Sequence, residues 1–348
     1  MTASSSPPTA VTEQARTLIE PELRAAVAGL DPHLGRAVGY HLGWCHPDGT
    51  PTPAPGTGGG KAIRPALTLL AATSVGATPH TALPGAAAVE LVHNFTLIHD
   101  DMMDGDELRR RRPTVWKTFG AATAILAGDA LHTLAFTALA RHEGPHTPRA
   151  TRTLSRAMTE LVSGQTQDLA FVRRPWQGPA AVTIPEYRSM AAGKSGSLLG
   201  CAAELGAVLA GAPHRTTAAF GRAGRHFGLA FQCVDDIIGI WGDPRETGKP
   251  VLADIREGKK TLPVLAALAA PVPAAAELAD LLTTPRPDEA ALRRAAELVE
   301  EAGGRRFAER ESRHHLERGL ACLAEADTQG TARGPLIDLI DYLGRRTS

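Results

Sequence analysis

The sequence predicts an all-α fold, and three observations support that prediction. From about Thr12 onward, apolar residues recur at a period of about 3.6, and clusters of Gly and Pro separate the periodic stretches. The chain shows no convincing run of alternating or β-branched residues, which strands would need. Apolar residues make up 43% of the composition and aromatic residues only 4%, so small and aliphatic side chains must build the core of closely packed helices.

A single domain over residues 11–348 is consistent with the length. An all-helical chain of 348 residues can bury one large core. Residues 46–60 form the one substantial loop of low complexity, and no segment has the composition of a linker between domains. Residues 1–10 precede the periodic stretches, and we expect them to be disordered.

Charge, cysteine content and hydropathy indicate a cytoplasmic protein. Lys plus Arg and Asp plus Glu each number 37, so net charge gives no argument for binding nucleic acid or an anionic membrane. The four cysteines are scattered without a CxxC pair, which fits a reducing cytosol. The N-terminus lacks a basic region followed by an apolar run, and prolines interrupt the most apolar long stretch, Leu262 to Leu282. We therefore expect no secretory signal and no membrane span.

Three aspartates end the first of two related apolar helices, which reads VELVHNFTLIHDDMMD. At about 100° per residue, Asp100 and Asp104 lie one turn apart on one face, and Asp101 lies on the adjoining face. Mg²⁺ prefers oxygen ligands and is commonly held by one or two carboxylates together with substrate phosphates. A solvated helix end is the alternative for this pattern alone, but the flanking residues favour a metal site.

Four consecutive arginines, Arg109 to Arg112, follow these carboxylates. A guanidinium is permanently charged, and its planar fork suits bidentate contact with phosphate oxygens. A run of surface charge would be the alternative if the arginines stood alone. Candidate metal ligands and phosphate ligands within a few turns of each other indicate a polyphosphate site.

The second apolar helix, FGLAFQCVDDIIGIWGD, repeats this chemistry. Asp235 and Asp236 end its apolar run, and Gln232 lies about one turn earlier. Lys249 and Lys259 follow in glycine-bearing segments, where a flexible ammonium can reach a phosphate. Paired aspartates with cations around them again indicate a polyphosphate site.

Two further segments that contain glycine supply the remaining basic candidate residues. GGGKAIRP places Lys61 and Arg64 near the start of a helix, where backbone N–H groups and two cations suit an anion. GKSGSLLG places Lys194 and Ser195 between glycines that permit close approach of a ligand. A glycine-bearing segment of this kind is more often a plain connection, and a lone lysine is more often solvated. Both segments therefore indicate a phosphate site only in combination with the aspartate helices.

Together these motifs resemble the trans-isoprenyl diphosphate synthases, also called the polyprenyl synthetase family. The resemblance runs in order and spacing from about Gly58 to Pro263. HDDMMD with its arginine tail is similar to the first aspartate-rich motif of that family, and QCVDDIIGIWGD is similar to the second. The resemblance implies the isoprenoid synthase fold, a single bundle of antiparallel helices around a deep central cavity, usually assembled as a homodimer.

The resemblance also implies a role for each candidate residue. It implies roughly three Mg²⁺ ions per active site. The implied metal site comprises Asp100, Asp104 and Asp235 as ligands, with Asp101 and Asp236 in support. The implied ligands of the allylic diphosphate are Arg109, Lys194, Ser195, Gln232, Lys249 and Lys259. Those of isopentenyl diphosphate are Lys61, Arg64, His93 and Arg110.

Four positions depart from the family pattern. Ala62 stands where many members have arginine, Arg111 replaces a usual glycine, and Leu252 stands where glycine is common. Gly239 replaces the last aspartate of the second motif. The change at Gly239 has the largest consequence because it removes a carboxylate linked to the metal site, and Asp243 is the candidate for partial compensation.

The implied reaction is a head-to-tail condensation of isopentenyl diphosphate with an allylic diphosphate. Phe95 and Thr96 precede the first motif, which has no two-residue insertion, and this combination is similar to geranylgeranyl diphosphate synthases with a C20 product. The alternatives are a farnesyl or longer-chain synthase and a class I terpene cyclase on the same fold. A regulatory subunit of a heteromeric synthase is disfavoured because both aspartate pairs are present.

Overall fold

The computed structural model describes residues 8–52, 60–243, 251–284, 288–326 and 333–344. Nearly all of the regular structure in these ranges is α-helix, which confirms the predicted fold class. The first seven α-helices are α1 (Pro8–Val27), α2 (Pro32–His41), α3 (Ile63–Ser74), α4 (Leu83–Met103), α5 (Val115–Phe119), α6 (Ala121–Ala140) and α7 (Thr147–Val172), with a short 3₁₀ helix, Pro79–Ala82, between α3 and α4. The remaining helices are α8 (Ile184–Ala191), α9 (Ser197–Leu209), α10 (His214–Trp241), α11 (Ala253–Arg256), α12 (Leu262–Leu268), α13 (Pro273–Thr283), α14 (Glu289–Glu301), α15 (Gly304–Ala324) and α16 (Arg333–Gly344).

The chain divides into two compact units. Unit 1 comprises Met1–Arg156, Cys201–Gly221 and Leu323–Leu339, and unit 2 comprises the remaining segments, Ala157–Gly200, Arg222–Cys322 and Ile340–Ser348. A single domain over residues 11–348 therefore stays a prediction. Helix α1 begins at Pro8, inside the stretch 1–10 for which the sequence predicts disorder, because proline is well suited to the first turn of a helix. Residues 1–7 lie outside the described ranges.

In unit 1, helix α4 carries the first aspartate motif out of an apolar core. Val89, Leu91 and Val92 are at most 1% exposed, and α1, α3 and α6 pack against this helix. Small residues permit close packing: a Cβ atom at Gly85 would collide with the side chain of Leu209. The last apolar residue buried on α4 is Ile98, after which the helix ends in carboxylates.

Helix α6 buries one face and exposes the other. Ala124, Ala127 and Leu131 are fully buried at a spacing of three to four residues, whereas Ile125 and Leu126 are 43% and 58% exposed. Among the described residues α6 is the one helix long and apolar enough to cross a membrane, and 33% of its most apolar window is buried. One such helix is weak evidence for a membrane span.

A short antiparallel hairpin follows α4, and the sequence, which shows no strand pattern, did not predict it. Its strands are β1 (Leu108–Arg109) and β2 (Arg112–Pro113). The two turn residues, Arg110 and Arg111, have φ angles of 52° and 64°. A two-residue turn of type I′ requires positive φ at both positions, which favours glycine. The departure at Arg111 therefore places an arginine in a backbone conformation that glycine adopts more easily.

In unit 2, helix α10 contributes to two apolar clusters. One contains Ile240 together with residues from α11 to α14, including the fully buried Leu298. The other contains Ile237 and the buried ring of Tyr187 from α8. Because α10 is packed on both clusters, the backbone that carries the second pair of aspartates is held firmly in place.

Candidate active site

The three aspartates of the first motif differ in burial. Asp100 is half-buried and Asp104 is exposed, whereas Asp101 is only 1% exposed. The backbone N–H of Asp104 donates to the carbonyl oxygen of Asp100 at 2.8 Å, so the chain is still helical between them. The predicted placement of Asp100 and Asp104 one turn apart is confirmed.

Arg109 binds the buried aspartate. Its Nε donates to both carboxylate oxygens of Asp101, at 2.7 and 2.9 Å, and its Nη2 lies 2.6 Å from Oδ1. Burial lowers the pKa of Arg109, but the hydrogen bonds and negative charge of Asp101 raise it by more. The first aspartate motif and the hairpin are thus joined by a charge-assisted pair.

The neighbouring arginines lie in defined surroundings. The guanidinium of Arg112 stacks 4.3 Å from the centre of the Tyr40 ring and donates to the Cys45 carbonyl oxygen at 3.3 Å. Arg110 lies beside the glycine segment before α3: a Cβ atom on Gly60 would sit 2.9 Å from its Nη2. Two segments predicted to bind isopentenyl diphosphate, the one before α3 and the arginine run, therefore lie together.

His93 lies in the field of three guanidinium groups. Burial and then the charges of Arg64, Arg110 and Arg109 lower the pKa of His93 well below its ordinary value of 6.5. The imidazole is therefore neutral at neutral pH and offers one N–H donor and one acceptor. Three permanent charges around a neutral ring suit an anionic ligand.

His41, Asn94 and Glu90 form a polar network that was not predicted from the sequence. Asn94 Nδ2 donates to the Glu90 carbonyl oxygen at 2.8 Å, and His41 Nε2 lies 3.1 Å from Asn94 Oδ1. Burial and then the charges of nearby arginines lower the pKa of His41 to about 3, so the neutral ring donates this hydrogen bond. Burial raises the pKa of Glu90. None of the three belongs to an acidic or basic cluster, so no motif identified them.

The segment before α3 also departs from ordinary backbone geometry. Lys61 is exposed and Arg64 is half-buried in the first turn of α3. Ala62 between them has φ 49°, in the left-handed region. Alanine there is strained relative to glycine.

The second motif repeats the division between a buried and a half-buried aspartate. Asp236 is 3% exposed, and it accepts hydrogen bonds from Tyr187 Oη at 2.6 Å, the Leu262 backbone N–H at 2.8 Å and Gln232 Nε2 at 2.8 Å. Asp235 is half-buried on the same helix. Burial raises the pKa of Asp236 to about 6, although the three hydrogen bonds lower it.

Gln232 connects the second motif to the segment between α8 and α9. The Ser195 hydroxyl donates to Gln232 Oε1, while Gln232 Nε2 donates to Asp236. The sequence predicted Ser195 and Gln232 as ligands of one diphosphate, and the structure brings them together. This chain of hydrogen bonds fixes the orientation of the Gln232 amide.

Lys194 stands in a π-helical turn, Ala192–Gly196. Such turns are rare and frequent at functional sites. Lys194 Nζ lies 2.5 Å from Asp168 Oδ2 on α7, and a Cβ atom on Gly164 would overlap the Lys194 backbone nitrogen. Asp168 was missed from the sequence because its partner is 26 residues away in the chain.

The two lysines that follow the second aspartate motif in the described residues, Lys259 and Lys260, contact different side chains. Lys259 Nζ lies 3.0 Å from Glu257 Oε2, so it also has an acidic neighbour. Lys260 Nζ stacks 3.6 Å from the centre of the Trp176 ring, and burial lowers the pKa of Lys260 to about 8. Lys249 lies outside the described residues.

Asp254 approaches the position where the second motif lacks its last aspartate. A Cβ atom on Gly239 would overlap the carboxylate of Asp254, which comes from α11. Leu252, which immediately precedes that helix, has φ 63° and donates its N–H to the Ile240 carbonyl oxygen at 3.2 Å. Asp254 thus places a carboxylate at Gly239, and compensation by Asp243 stays a prediction. Only the folded chain reveals this approach.

The donor set at both motifs fits Mg²⁺. Asp100, Asp104 and Asp235 present carboxylate oxygens at half-buried or exposed positions. Within the described ranges, no three His, Cys, Asp or Glu side chains already converge as a preformed metal site. A set of this kind fits an ion that takes part of its coordination from substrate phosphates.

Comparisons with known proteins decide the family. The sequence model of the polyprenyl synthetase family matches residues 55–299. The chain belongs to the polyprenyl synthetase family. It is 46% identical over 333 residues to a (2E,6E)-farnesyl diphosphate synthase of Mycobacterium tuberculosis, covering 94% of this chain and 90% of the relative. It is 45% identical over 340 residues to a geranylgeranyl diphosphate synthase of the same species, covering 97% and 93%.

Solved structures of polyprenyl synthetases are similar as well. The structure of a polyprenyl synthetase from Streptomyces coelicolor has a TM-score of 0.88 at 44% identity, over 96% of this chain and 99% of that one. A polyprenyl synthase from Caulobacter crescentus, solved with calcium and isoprenyl diphosphate, has a TM-score of 0.82 at 28% identity, over 99% and 100%. This polyprenyl synthetase is therefore a prenyltransferase that elongates prenyl chains, with the all-α isoprenoid synthase fold.

Proposed function

We propose that this polyprenyl synthetase condenses isopentenyl diphosphate with allylic diphosphates in a Mg²⁺-dependent reaction and releases geranylgeranyl diphosphate. One observation carries the proposal: the two aspartate motifs share a division of roles. In each motif the second aspartate, Asp101 or Asp236, is buried and bound by protein donors. The first aspartate, Asp100 or Asp235, is half-buried, where it can meet an ion that arrives with substrate.

Asp100, Asp104 and Asp235 would hold Mg²⁺, with about three ions per active site. When bound, Mg²⁺ supplies Lewis-acid stabilisation of the charge on the leaving diphosphate. Asp101 and Asp236 support the site by positioning Arg109 and Gln232. A relative solved with calcium and isoprenyl diphosphate supports a divalent ion in this role.

The basic residues divide between two diphosphates. Arg109, held by Asp101, stabilises the diphosphate that departs from the allylic carbon, and no nucleophilic side chain is required. Neutral His93 donates a hydrogen bond to the diphosphate that stays attached. The allylic group is bound by Arg109, Lys194, Ser195, Gln232, Lys249 and Lys259. The isopentenyl group is bound by Lys61, Arg64, His93 and Arg110.

Phe95 and Thr96 support the C20 product. Thr96 is small and lies one turn before Asp100, so it leaves room for the tail near the reacting carbon, whereas the ring of Phe95 limits the depth. Relatives named for C15 and C20 products are almost equally similar, at 46% and 45% identity. The product length therefore rests on these two residues and their neighbours.

A second copy of the chain covers the exposed face of α6. Ile125 and Leu126 are large apolar residues at 43% and 58% exposure on α6, which is long and apolar enough to cross a membrane. Burying that face in a homodimer removes it from water, and the dimer remains in the cytoplasm. Sedimentation equilibrium tests this: twice the chain mass is expected, and a monomer at micromolar concentration contradicts it.

The function is tested by product analysis. The purified chain is incubated with Mg²⁺, isopentenyl diphosphate and one allylic starter: dimethylallyl, geranyl or farnesyl diphosphate. Products are dephosphorylated and separated by chromatography. A C20 alcohol as the main product from all three starters is expected. A C15 main product, with farnesyl diphosphate left unextended, would overturn the C20 assignment and leave the condensation intact.

A further inference from the structure

Lys260 directly follows the candidate phosphate ligand Lys259 in unit 2, and it is a buried lysine. Only 5% of Lys260 is exposed, and its Nζ lies 3.6 Å from the centre of the Trp176 ring. Trp176 belongs to the connection between α7 and α8 and packs against the apolar cluster that contains Leu298. A cation over the face of an indole is attracted by the ring quadrupole, and the attraction is larger where water is excluded. Lys260 therefore has a fixed place in the packing of unit 2.

Two backbone carbonyl groups hold the same ammonium. Lys260 Nζ donates to the carbonyl oxygen of Gly258 at 3.1 Å and to that of Val172 at 3.4 Å. Val172 is the last residue of α7, where carbonyl groups lack a partner within the helix and a positive charge is favoured. Burial lowers the pKa of Lys260 to about 8, so the side chain still carries its proton at neutral pH. The ammonium thus ties the segment after α11 to the end of α7.

These contacts lie on both sides of Lys259 in the chain. Gly258 and Lys260 flank it, and the Lys260 ammonium holds both. The Lys259 backbone N–H donates to the Asp254 carbonyl oxygen at 2.9 Å. Residues 259–261 form no helix or turn, and successive side chains of an extended segment point to opposite sides. The burial of Lys260 and the half-buried position of Lys259, whose side chain is 21% exposed, fit this alternation.

We infer that Lys260 is a positioning residue: it holds Lys259 at the second aspartate motif and does not itself touch the substrate. The inference rests on the proposed function, in which Lys259 binds the allylic diphosphate. Two residues after Lys260, the Leu262 backbone N–H donates to Asp236 Oδ2 at 2.8 Å, so the same segment is tied to α10. A flexible ammonium loses less freedom on binding a phosphate when its backbone is already fixed. Without the Lys260 ammonium the segment loses its tie to α7, and Lys259 binds the diphosphate less well.

The experiment measures initial rates of the full chain with Mg²⁺, varying geranyl diphosphate and isopentenyl diphosphate in turn. Lys260→Met keeps the length of the side chain and removes its charge. It is expected to raise the KM for geranyl diphosphate at least about 5-fold, part of the effect of losing one charge-assisted hydrogen bond, and to leave the KM for isopentenyl diphosphate unchanged. Lys260→Arg keeps a cation beside Trp176 and is expected to have a lower KM for geranyl diphosphate than Lys260→Met. The matched control is Lys117→Met, because Lys117 Nζ lies 5.7 Å from the Trp116 ring and its side chain is 46% exposed; this variant should change neither KM.

A double variant separates positioning from direct binding. Lys260→Met is combined with Lys259→Ala, and the double variant is compared with each single variant. If Lys260 acts through Lys259, the double variant is expected to have the same KM for geranyl diphosphate as Lys259→Ala alone. Independent, additive increases in this KM would overturn the inference, because Lys260 would then act by a route other than Lys259.

An active Lys260→Met variant with the wild-type KM for geranyl diphosphate would overturn the inference and leave the condensation standing. Equal increases in both KM values would also overturn it, because the effect would then not be specific to the allylic site. If Lys260→Met does not fold by circular dichroism, Trp176→Leu decides: a rise in the KM for geranyl diphosphate alone supports the inference, and unchanged KM values overturn it. Wild-type protein that forms no prenyl product would overturn the proposed function and this inference together.

Discussion

Arg109 holds both carboxylate oxygens of Asp101, at 2.7 and 2.9 Å from its Nε. The carboxylate is 2% exposed and the guanidinium 25% exposed, so the pair is largely shielded from water. It joins the last turn of α4 to the hairpin that carries the arginines. The first aspartate motif therefore supplies both candidate metal ligands and the support for a candidate phosphate ligand.

Replacing one partner of this pair tests its role. Asp101→Asn is expected to lower the free energy of unfolding by about 2–4 kcal/mol, because it leaves a shielded guanidinium without its carboxylate. The KM for the allylic diphosphate is expected to rise, since Arg109 loses its position. Chemical denaturation and steady-state kinetics measure the two effects. The control is Glu107→Gln, which breaks the exposed 2.6 Å pair with Lys117 and should cost less than about 1 kcal/mol. Equal losses in both variants would contradict the prediction.

The half-buried aspartates are expected to act in turnover and not in folding. Asp100→Ala and Asp235→Ala should each reduce kcat by at least about 100-fold, because each removes a ligand of the ion that stabilises the leaving group. Circular dichroism should show an unchanged helical content. Asp280→Ala, an exposed aspartate on α13, serves as the control. Near-normal Mg²⁺-dependent rates in either variant would show that the metal site is misplaced.

The two proposed diphosphate sites predict different kinetic effects. The double replacement Lys61→Ala with Arg64→Ala should raise the KM for isopentenyl diphosphate by roughly 10-fold or more, as expected for loss of charge-assisted hydrogen bonds. Lys194→Ala should act mainly on the allylic substrate. Initial rates with each substrate varied in turn distinguish the two. The same change in both KM values for both variants would argue against separate sites.

Much of the fold could be predicted from local sequence. The aspartates of α4 and α10 follow long apolar periodic stretches, so the pattern identified both helices and the turn spacing of Asp100 and Asp104, although α10 continues beyond Asp236 to Trp241. The hairpin could not be predicted in this way. Its turn places Arg110 and Arg111 at positive φ, a conformation that arginine rarely adopts and that sequence signals associate with glycine.

Contacts between distant residues account for most of what the sequence missed at the site. Asp168 contacts Lys194, which is 26 residues away in the chain. Asp254 lies over Gly239, and Leu252, two residues before Asp254, has a left-handed backbone conformation. Periodicity describes one helix at a time, and it does not state which side chains of two helices meet. The sequence motifs identified the aspartates, whereas the packing of the folded chain determines which aspartate of each pair is buried.

Stability is expected to fall in mild acid, in part through His315 on α15. His315 Nδ1 lies 3.1 Å from His226 Nδ1, and burial lowers the pKa of His315 from 6.5 to about 4. The unfolded chain therefore binds a proton between these values that the folded chain does not. This contribution is complete above pH 6.5 and is lost as the pH falls toward 4. When the pH is lowered from 7.5 to 5, the free energy of unfolding of His315→Gln should fall by about 1 kcal/mol less than that of wild type, as measured by chemical denaturation. Equal decreases of the free energy of unfolding in wild type and in His315→Gln would contradict this prediction.

Incorporation of labelled isopentenyl diphosphate tests the central claim most directly. The wild-type chain is incubated with carbon-labelled isopentenyl diphosphate and an allylic diphosphate, with Mg²⁺ or with excess EDTA, and label is counted in the acid-labile allylic product. The account predicts incorporation with Mg²⁺ and at least about a 100-fold decrease with EDTA. A cyclic hydrocarbon released from the allylic diphosphate alone, or incorporation that EDTA leaves unchanged, would contradict it.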